Sequence, residues 1–223
     1  MRRPKSHGKR EQILEAAKRV VVREGIWNTT TRKIAEEASV NVATIHYHFE
    51  DKEALLFAVF ERMIAAIRGQ AREDFKEPGT LAERIERAVM ISWDYTEKHW
   101  ADQFLQAELT LYAVRTAGAA WLAQRQHEQF VAFYMDIFRG ASDVGKRRDL
   151  DIEGLSRMVI AGIDGLLQQH FACPDAARSK YDCRQLTFLA LRYPLTKGAE
   201  PLAALSLDQG TPRKSRTPRR TLR

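Results

Sequence analysis

The stretch TTTRKIAEEASVNVATIHYHF, residues 29–49, decides the fold. Thr30 offers a hydroxyl N-cap for a helix of about two turns ending near Ala38. Ile34, Ala35 and Ala38 recur at helical spacing and so share one buried face, with Ala35 small where a second helix must cross closely. Ser39-Val40-Asn41 makes a three-residue turn, with Val40 apolar at the corner. Asn41 then caps a second helix, Val42 to His48, whose inner side is Ile45 and Phe49. Two short helices joined so tightly match the unit that seats its second helix in a DNA major groove, although an ordinary helical hairpin has the same spacing.

Surface chemistry separates the two readings. A recognition helix shows base-reading or methyl-contacting groups away from its core, and here Val42, Ala43, Thr44, His46, Tyr47 and His48 are available. Val42, Ala43 and the Thr44 methyl suit thymine methyls, and the Thr44 hydroxyl suits base edges or phosphate. Tyr47 and His48 suit phosphates, which position a protein without specifying sequence. Asp51 caps the next helix, and that N-terminus with Lys52 is a phosphate site. The expected DNA-contacting set, with the two capping residues, is Thr30, Asn41, Val42, Ala43, Thr44, His46, Tyr47, His48 and Lys52.

Several runs then act together: Gly25-x-x-x-Thr29-Thr30, Ile34-Ala35-x-x-Ala38-x-Val40, Thr44-Ile45-x-Tyr47-His48-Phe49 and Lys52-Glu53-x-Leu55. As a set they resemble the N-terminal domain of TetR-family transcriptional regulators, over roughly residues 9–60. The resemblance implies an all-α fold, a homodimer, a small-molecule pocket in the C-terminal domain and, usually, repression. Three departures stand out. Ser39 occupies the turn position where the family usually has Gly, His46 stands where Tyr is frequent, and Val42-Ala43 replaces a frequent Lys-Gly pair. The operator sequence therefore does not carry over from relatives.

Charge is unevenly placed along the 223 residues. Residues 1–52 are net +4, residues 210–223 net +6 and the stretch between net −3, for +7 in all. Positive ends around a mildly acidic body fit a nucleic-acid footprint confined to the ends. No run of 18 apolar residues suggests a membrane span, and the basic N-terminus lacks the apolar core of a secretory signal. The two cysteines, Cys173 and Cys183, make no disulfide framework, so reduced thiols in a cytoplasm are expected.

Three units are expected: a helix-turn-helix domain over 1–52, a helical ligand-binding and dimerisation domain over 53–199, and a disordered basic tail over 200–223. The first helix runs from about Lys9 to Glu24, stopped by Gly25; residues 1–8 read as a basic arm for a minor groove or as a frayed end. The fourth helix, from Lys52 to about Phe75, starts at the DNA and ends in the next domain, which makes it a lever between them. Helices follow from a Thr80 cap to about Lys98, over 101–116, 119–139, 151–171 and 182–193. The tail TPRKSRTPRRTLR is too polar to fold; it either adds sequence-blind DNA affinity or is merely solvated.

Aromatic side chains concentrate in the fifth to seventh helices: Trp93, Trp100, Phe104, Tyr112, Trp121, Phe130 and Tyr134. Such residues are often plain core, but the family resemblance favours a ligand pocket lined by some of them. Glu108 lies four residues after Phe104 and four before Tyr112, on one face. Either it is satisfied structurally, by Arg115 or His127, or it holds a cationic ligand beside the rings. Gly162 and Gly165 permit close helix approach, and the eighth and ninth helices resemble the family's dimerisation pair; Asp164 and His170 read there as polar interface groups. Neither a metal site nor a cofactor motif is found, and no activated nucleophile or acid–base pair suggests an enzyme.

The reading is a dimeric regulator of a pseudo-palindromic double-stranded DNA operator, most simply a repressor released by a small, mainly apolar effector. The alternative is a ligand-independent architectural DNA-binding protein.

Overall fold

Nine helices follow one another in the computed structural model, among its described residues 4–145 and 150–193. They are α1 (Pro4–Glu24), α2 (Thr31–Glu37), α3 (Val42–His48), α4 (Lys52–Asp74), α5 (Leu81–Lys98), α6 (Trp100–Arg115), α7 (Ala120–Arg139), α8 (Ile152–Ala172) and α9 (Ala176–Ala190). The architecture is all-α, as expected. The basic tail and Arg2 and Arg3 of the expected arm lie outside the described residues.

Local chemistry sets the helix ends. Gly25 closes α1 at φ +76°, its amide bonded to the Val21 carbonyl at 2.8 Å. Thr30 accepts from the Lys33 amide at 3.3 Å and Asn41 from the Thr44 amide at 2.7 Å, so both expected caps form. Asp51 accepts from the Ala54 amide at 2.7 Å, and Thr80 and Glu83 cap each other's backbone in a capping box.

The turn between α2 and α3 accommodates Ser39 directly. Ser39 sits at φ +49°, with its amide on the Glu36 carbonyl (3.0 Å) and the Val40 amide on that of Ala35 (2.9 Å). This is a Schellman closure with a side chain in the left-handed position that glycine normally fills.

Two apolar clusters form the core. The first joins α1, α2, α3 and the N-terminal half of α4 to Leu105, Leu109, Tyr112 and Ala113 of α6 and Leu122 of α7. The second joins α5, α7, α8 and α9 to Ala71 near the end of α4. At 23 residues α4 is roughly 35 Å long, enough to serve both, and its Ile67 packs against each. The first cluster is not closed at residue 52, because α4 and α6 complete it.

Two helix starts differ from those the sequence predicts. Helix α1 begins at Pro4, so residues expected in a mobile arm extend it; proline suits a first helical position. Helix α9 begins at Ala176 rather than near residue 182, because Asp175 caps it through the Arg178 amide at 2.9 Å. Its first turns are largely exposed, so the apolar periodicity that marks it in sequence starts late. Gly162 does permit the close helix approach expected of it, here within the chain: a Cβ there would overlap the Leu186 side chain of α9.

Candidate nucleic-acid interface and effector cavity

Helix α3 buries Ile45 and turns Ala43, His46 and Tyr47 outward, Tyr47 being 80% exposed; Val42, Thr44 and His48 are partly covered. The Thr44 hydroxyl donates to the Asn41 carboxamide oxygen at 2.6 Å. Its donor is thus committed to the cap, leaving its methyl and lone pairs for a partner. Gln12 of α1 donates to the Ala38 carbonyl at 2.7 Å, clamping the end of α2, and the Arg10 guanidinium lies over the Phe49 ring. Arg32, absent from the sequence-based set, is exposed in the first turn of α2, and no ion pair engages it among the described residues.

Lys52 occupies a different environment from the expected phosphate site. Its ammonium donates to the Ile26 carbonyl at 2.9 Å and lies 4.7 Å from the centre of the Tyr112 ring. Burial lowers its pKa, opposed by neighbouring Glu53. The lysine holds the α1–α2 connection against α6, so its charge faces the interior of the joint.

The expected ligand-binding residues are dispersed. Phe130 and Tyr134 do line a shared cavity. Trp93 is fully buried, with its indole N–H on Glu97 (3.1 Å) and its ring edge-on to His170. Trp100 and Phe104 are exposed, Phe104 stacking on Phe171. Trp121 packs on Phe57, and Tyr112 packs on Trp27 and donates to Glu53. Glu108, proposed from sequence as a cation partner or as the partner of Arg115 or His127, instead accepts the Ile26 amide at 2.7 Å. The i, i+4 spacing of Phe104, Glu108 and Tyr112 does put them on one side of α6, but that side meets the DNA-binding unit.

The cavity lies between α4, α5, α6, α7 and α8 and holds about 80 Å³. Its apolar wall includes Ile67, Phe130, Phe133 and Tyr134, and its polar groups include Ser92, Tyr95, Gln103, Gln106 and Asp164. Ser92 donates to the Ala88 carbonyl at 2.7 Å, so at its 2.8 Å contact with Tyr134 the phenol is the donor. Tyr95 donates to Asp102 at 2.8 Å, and burial raises both phenol pKa values above the usual tyrosine range. Asp102, buried on α6, also pairs with Lys18 of α1. Burial pushes the Asp164 carboxyl up to about 6, opposed by His127.

Helix α6 therefore faces both ways. Gln103 and Gln106 line the cavity, while Asp102, Glu108 and Tyr112 grip Lys18, Ile26 and Lys52–Glu53 respectively. No aromatic cluster marks most of the lining polar groups in the sequence, because the cavity side of α6 is glutamine.

A helix-turn-helix carried on a helical body is the architecture of a DNA-binding transcriptional regulator. The family profile described as "Bacterial regulatory proteins, tetR family" matches residues 13–59. The HTH-type transcriptional regulator BetI of Rhizobium meliloti is 30% identical over 168 residues, 71% of this chain and 75% of the relative. The chain belongs to the TetR family of transcriptional regulators. Among solved structures, a protein from Saccharomonospora viridis in complex with choline superposes with a TM-score of 0.63 at 21% identity, covering 86% of this chain and 99% of that one. FadR from Bacillus subtilis in complex with stearoyl-CoA gives 0.55 at 23% identity, covering 82% and 95%. At these identities the structures show the shared fold.

Proposed function

We propose that the protein is a homodimeric repressor that binds a pseudo-palindromic operator through α3 and leaves it when a small molecule enters the cavity. The observation that carries this reading is the double engagement of α6, which lines the cavity and grips the DNA-binding unit at three points. A ligand shifts an equilibrium only by its differential affinity for the two shapes. At about 80 Å³ the cavity is smaller than the roughly 300–1,000 Å³ of drug-sized sites. A larger ligand must displace its walls, and α4 and α6 are among them. The solved relatives with choline and with stearoyl-CoA support a ligand-responsive reading, while differing in ligand chemistry.

Residues 1–52 form the DNA-binding part and residues 53–199 the effector and dimerisation part in this reading. Thr30, Asn41, Val42, Ala43, Thr44, His46, Tyr47 and His48 remain the DNA-facing set, with Arg32 added. Dimerisation is assigned to α8 and α9, where Tyr181, Phe188 and Leu189 are exposed and a Cβ on Gly165 would meet open space. Large exposed apolar groups on one helix mark an interaction face.

The test is selection of bound sequences from random DNA, then a screen for compounds that release the selected site. A two-fold symmetric site and release by a cavity ligand are expected. A site without symmetry overturns the dimer. Weak sequence preference with no releasing compound favours the architectural alternative.

A further inference from the structure

The charge balance of the cavity points to a ligand class. Its lining contains two carboxylates, Asp164 on α8 and Asp74 on α4, and no lysine, arginine or histidine. Asp74 accepts from the Gln70 carboxamide at 3.3 Å. Asp164 accepts no hydrogen bond and makes no ion pair among the described residues. The Tyr134–Ser92 hydroxyl pair in the lining does not serve it, because the Tyr134 phenol donates to Ser92, whose own proton is on the Ala88 carbonyl. A half-buried carboxylate with no hydrogen bond or ion pair is unfavourable; His127 offsets that only in part and is not among the lining residues, whereas the rings of Phe130, Phe133 and Tyr134 line the same space.

We propose that this cavity selects organic cations, with the Asp164 carboxylate opposite a compact ammonium group and the aromatic rings against its alkyl substituents. The inference rests on the effector-cavity reading above and adds the ligand's charge. Rings attract a cation through their negative faces, most strongly where water is excluded. The same lining disfavours an anionic head group, which would meet two carboxylates and no base inside. Buried Arg84 does not change this. Its guanidinium donates to the carbonyls of Ile137 and Phe75, which line the cavity near the ends of α7 and α4, but Arg84 itself is not among the lining residues. The raised Asp164 pKa agrees with the geometry: burial already disfavours its charge, and a bound cation would offset that penalty.

The test compares cations with uncharged isosteres of the same shape, using the full chain and calorimetry at pH 8. The pairs are choline with 3,3-dimethylbutan-1-ol, and phenyltrimethylammonium with tert-butylbenzene. At least one cation should bind the wild-type protein roughly ten-fold or more tightly than its isostere, and Asp164→Asn should bring that ratio near one. Equal or tighter binding of the isosteres, a cation preference that survives Asp164→Asn, or no binding of either cation overturns the proposal. The wild-type ratio decides even if the variant folds poorly. Should the isosteres bind and release the selected operator while the cations do not, the effector cavity stands and only its charge preference falls. Should no compound of any charge release the operator, the effector reading falls too.

Discussion

The Glu108 carboxylate accepts the Ile26 backbone amide at 2.7 Å across 82 residues of sequence. Ile26 is fully buried just after the glycine that closes α1, so this amide has no water to turn to. The contact makes α6 part of the DNA-binding unit's support.

Replacing Glu108 by Ala should therefore cost stability in the range of about 1–3 kcal/mol, because a buried amide loses its acceptor. Glu108→Gln should cost less, since its carboxamide oxygen still accepts. Urea unfolding checks the order. Operator affinity in the absence of effector should fall with Glu108→Ala, and equal stability of wild type and Glu108→Ala would refute the structural role.

Lys52 and Arg32 should separate in a salt titration. Lys52 is spent on the Ile26 carbonyl and the Tyr112 ring, so Lys52→Met should lower stability and leave the salt slope of DNA binding nearly unchanged. Arg32→Ala should flatten that slope by about one unit, the effect of one lost phosphate contact. A flattened slope for Lys52→Met would restore it as a phosphate ligand.

What was legible in the sequence was local. Thr30, Asn41, Asp51 and Thr80 announce helix starts because a cap needs only its own next three residues, and Ile34, Ala35 and Ile45 announce a core because period is local too. The cavity was not legible in the same way. Phe104, Glu108 and Tyr112 share a helix face, but which partner that face meets depends on how α6 crosses α1 and α4. Asp164 read as an interface group, since a carboxylate on α8 looks the same whether it faces a second subunit or a cavity between helices of its own chain. Ser39 lies between the two cases. The family resemblance flagged its unusual position, and the backbone shows the left-handed conformation it must adopt.

Ser39→Gly should stabilise the fold. At φ +49° a residue with a Cβ pays a conformational penalty of roughly 1–2 kcal/mol. Glycine removes it, but loses about 0.4–1 kcal/mol through the greater freedom of the unfolded chain. The net expectation is a gain of a few tenths to about 1 kcal/mol, read as a higher urea midpoint with unchanged slope. A lower midpoint would mean the serine hydroxyl makes a compensating contact.

Asp164 gives the protein a pH dependence with a definite sign. Its pKa is raised from an ordinary 3.8 to about 6 by burial. The folded state then holds a proton that the unfolded state has released between those values, so stability from this group is present below about pH 4 and is lost as pH rises to about 6. Asp74 on α4, Tyr95 on α5, Tyr134 on α7 and nearby His127 face the same region, and His127 partly opposes the shift. Asp164→Asn should raise stability at pH 8, on the order of 1–3 kcal/mol, with little change at pH 4. Thermal unfolding of both proteins across pH 4–8 checks this. Parallel curves would show that Asp164 is solvated in the folded state.

Under the proposed function, the most direct route from cavity to DNA-binding unit is through Tyr95. This cavity-lining phenol donates to Asp102, and Asp102 pairs with Lys18 on α1, a helix of the DNA-binding unit. Moving Tyr95 to admit a ligand would take a donor from a buried carboxylate, and relaxation of Asp102 would alter its grip on Lys18. Tyr95→Phe removes the donor while keeping the ring, so ligand affinity should change little. Operator affinity without ligand should fall, and the ligand's further effect on it should shrink. Coupling between sites is typically about 1–3 kcal/mol, or roughly 5–150-fold in affinity; in the variant the effector should weaken operator binding by clearly less than in wild type. The measurement is operator affinity with and without saturating effector in wild type, Tyr95→Phe, Lys18→Met and the double variant. If the relay is one unit, the double variant should lose no more coupling than either single one. Full coupling in Tyr95→Phe would place the signal elsewhere, in the direct displacement of α4.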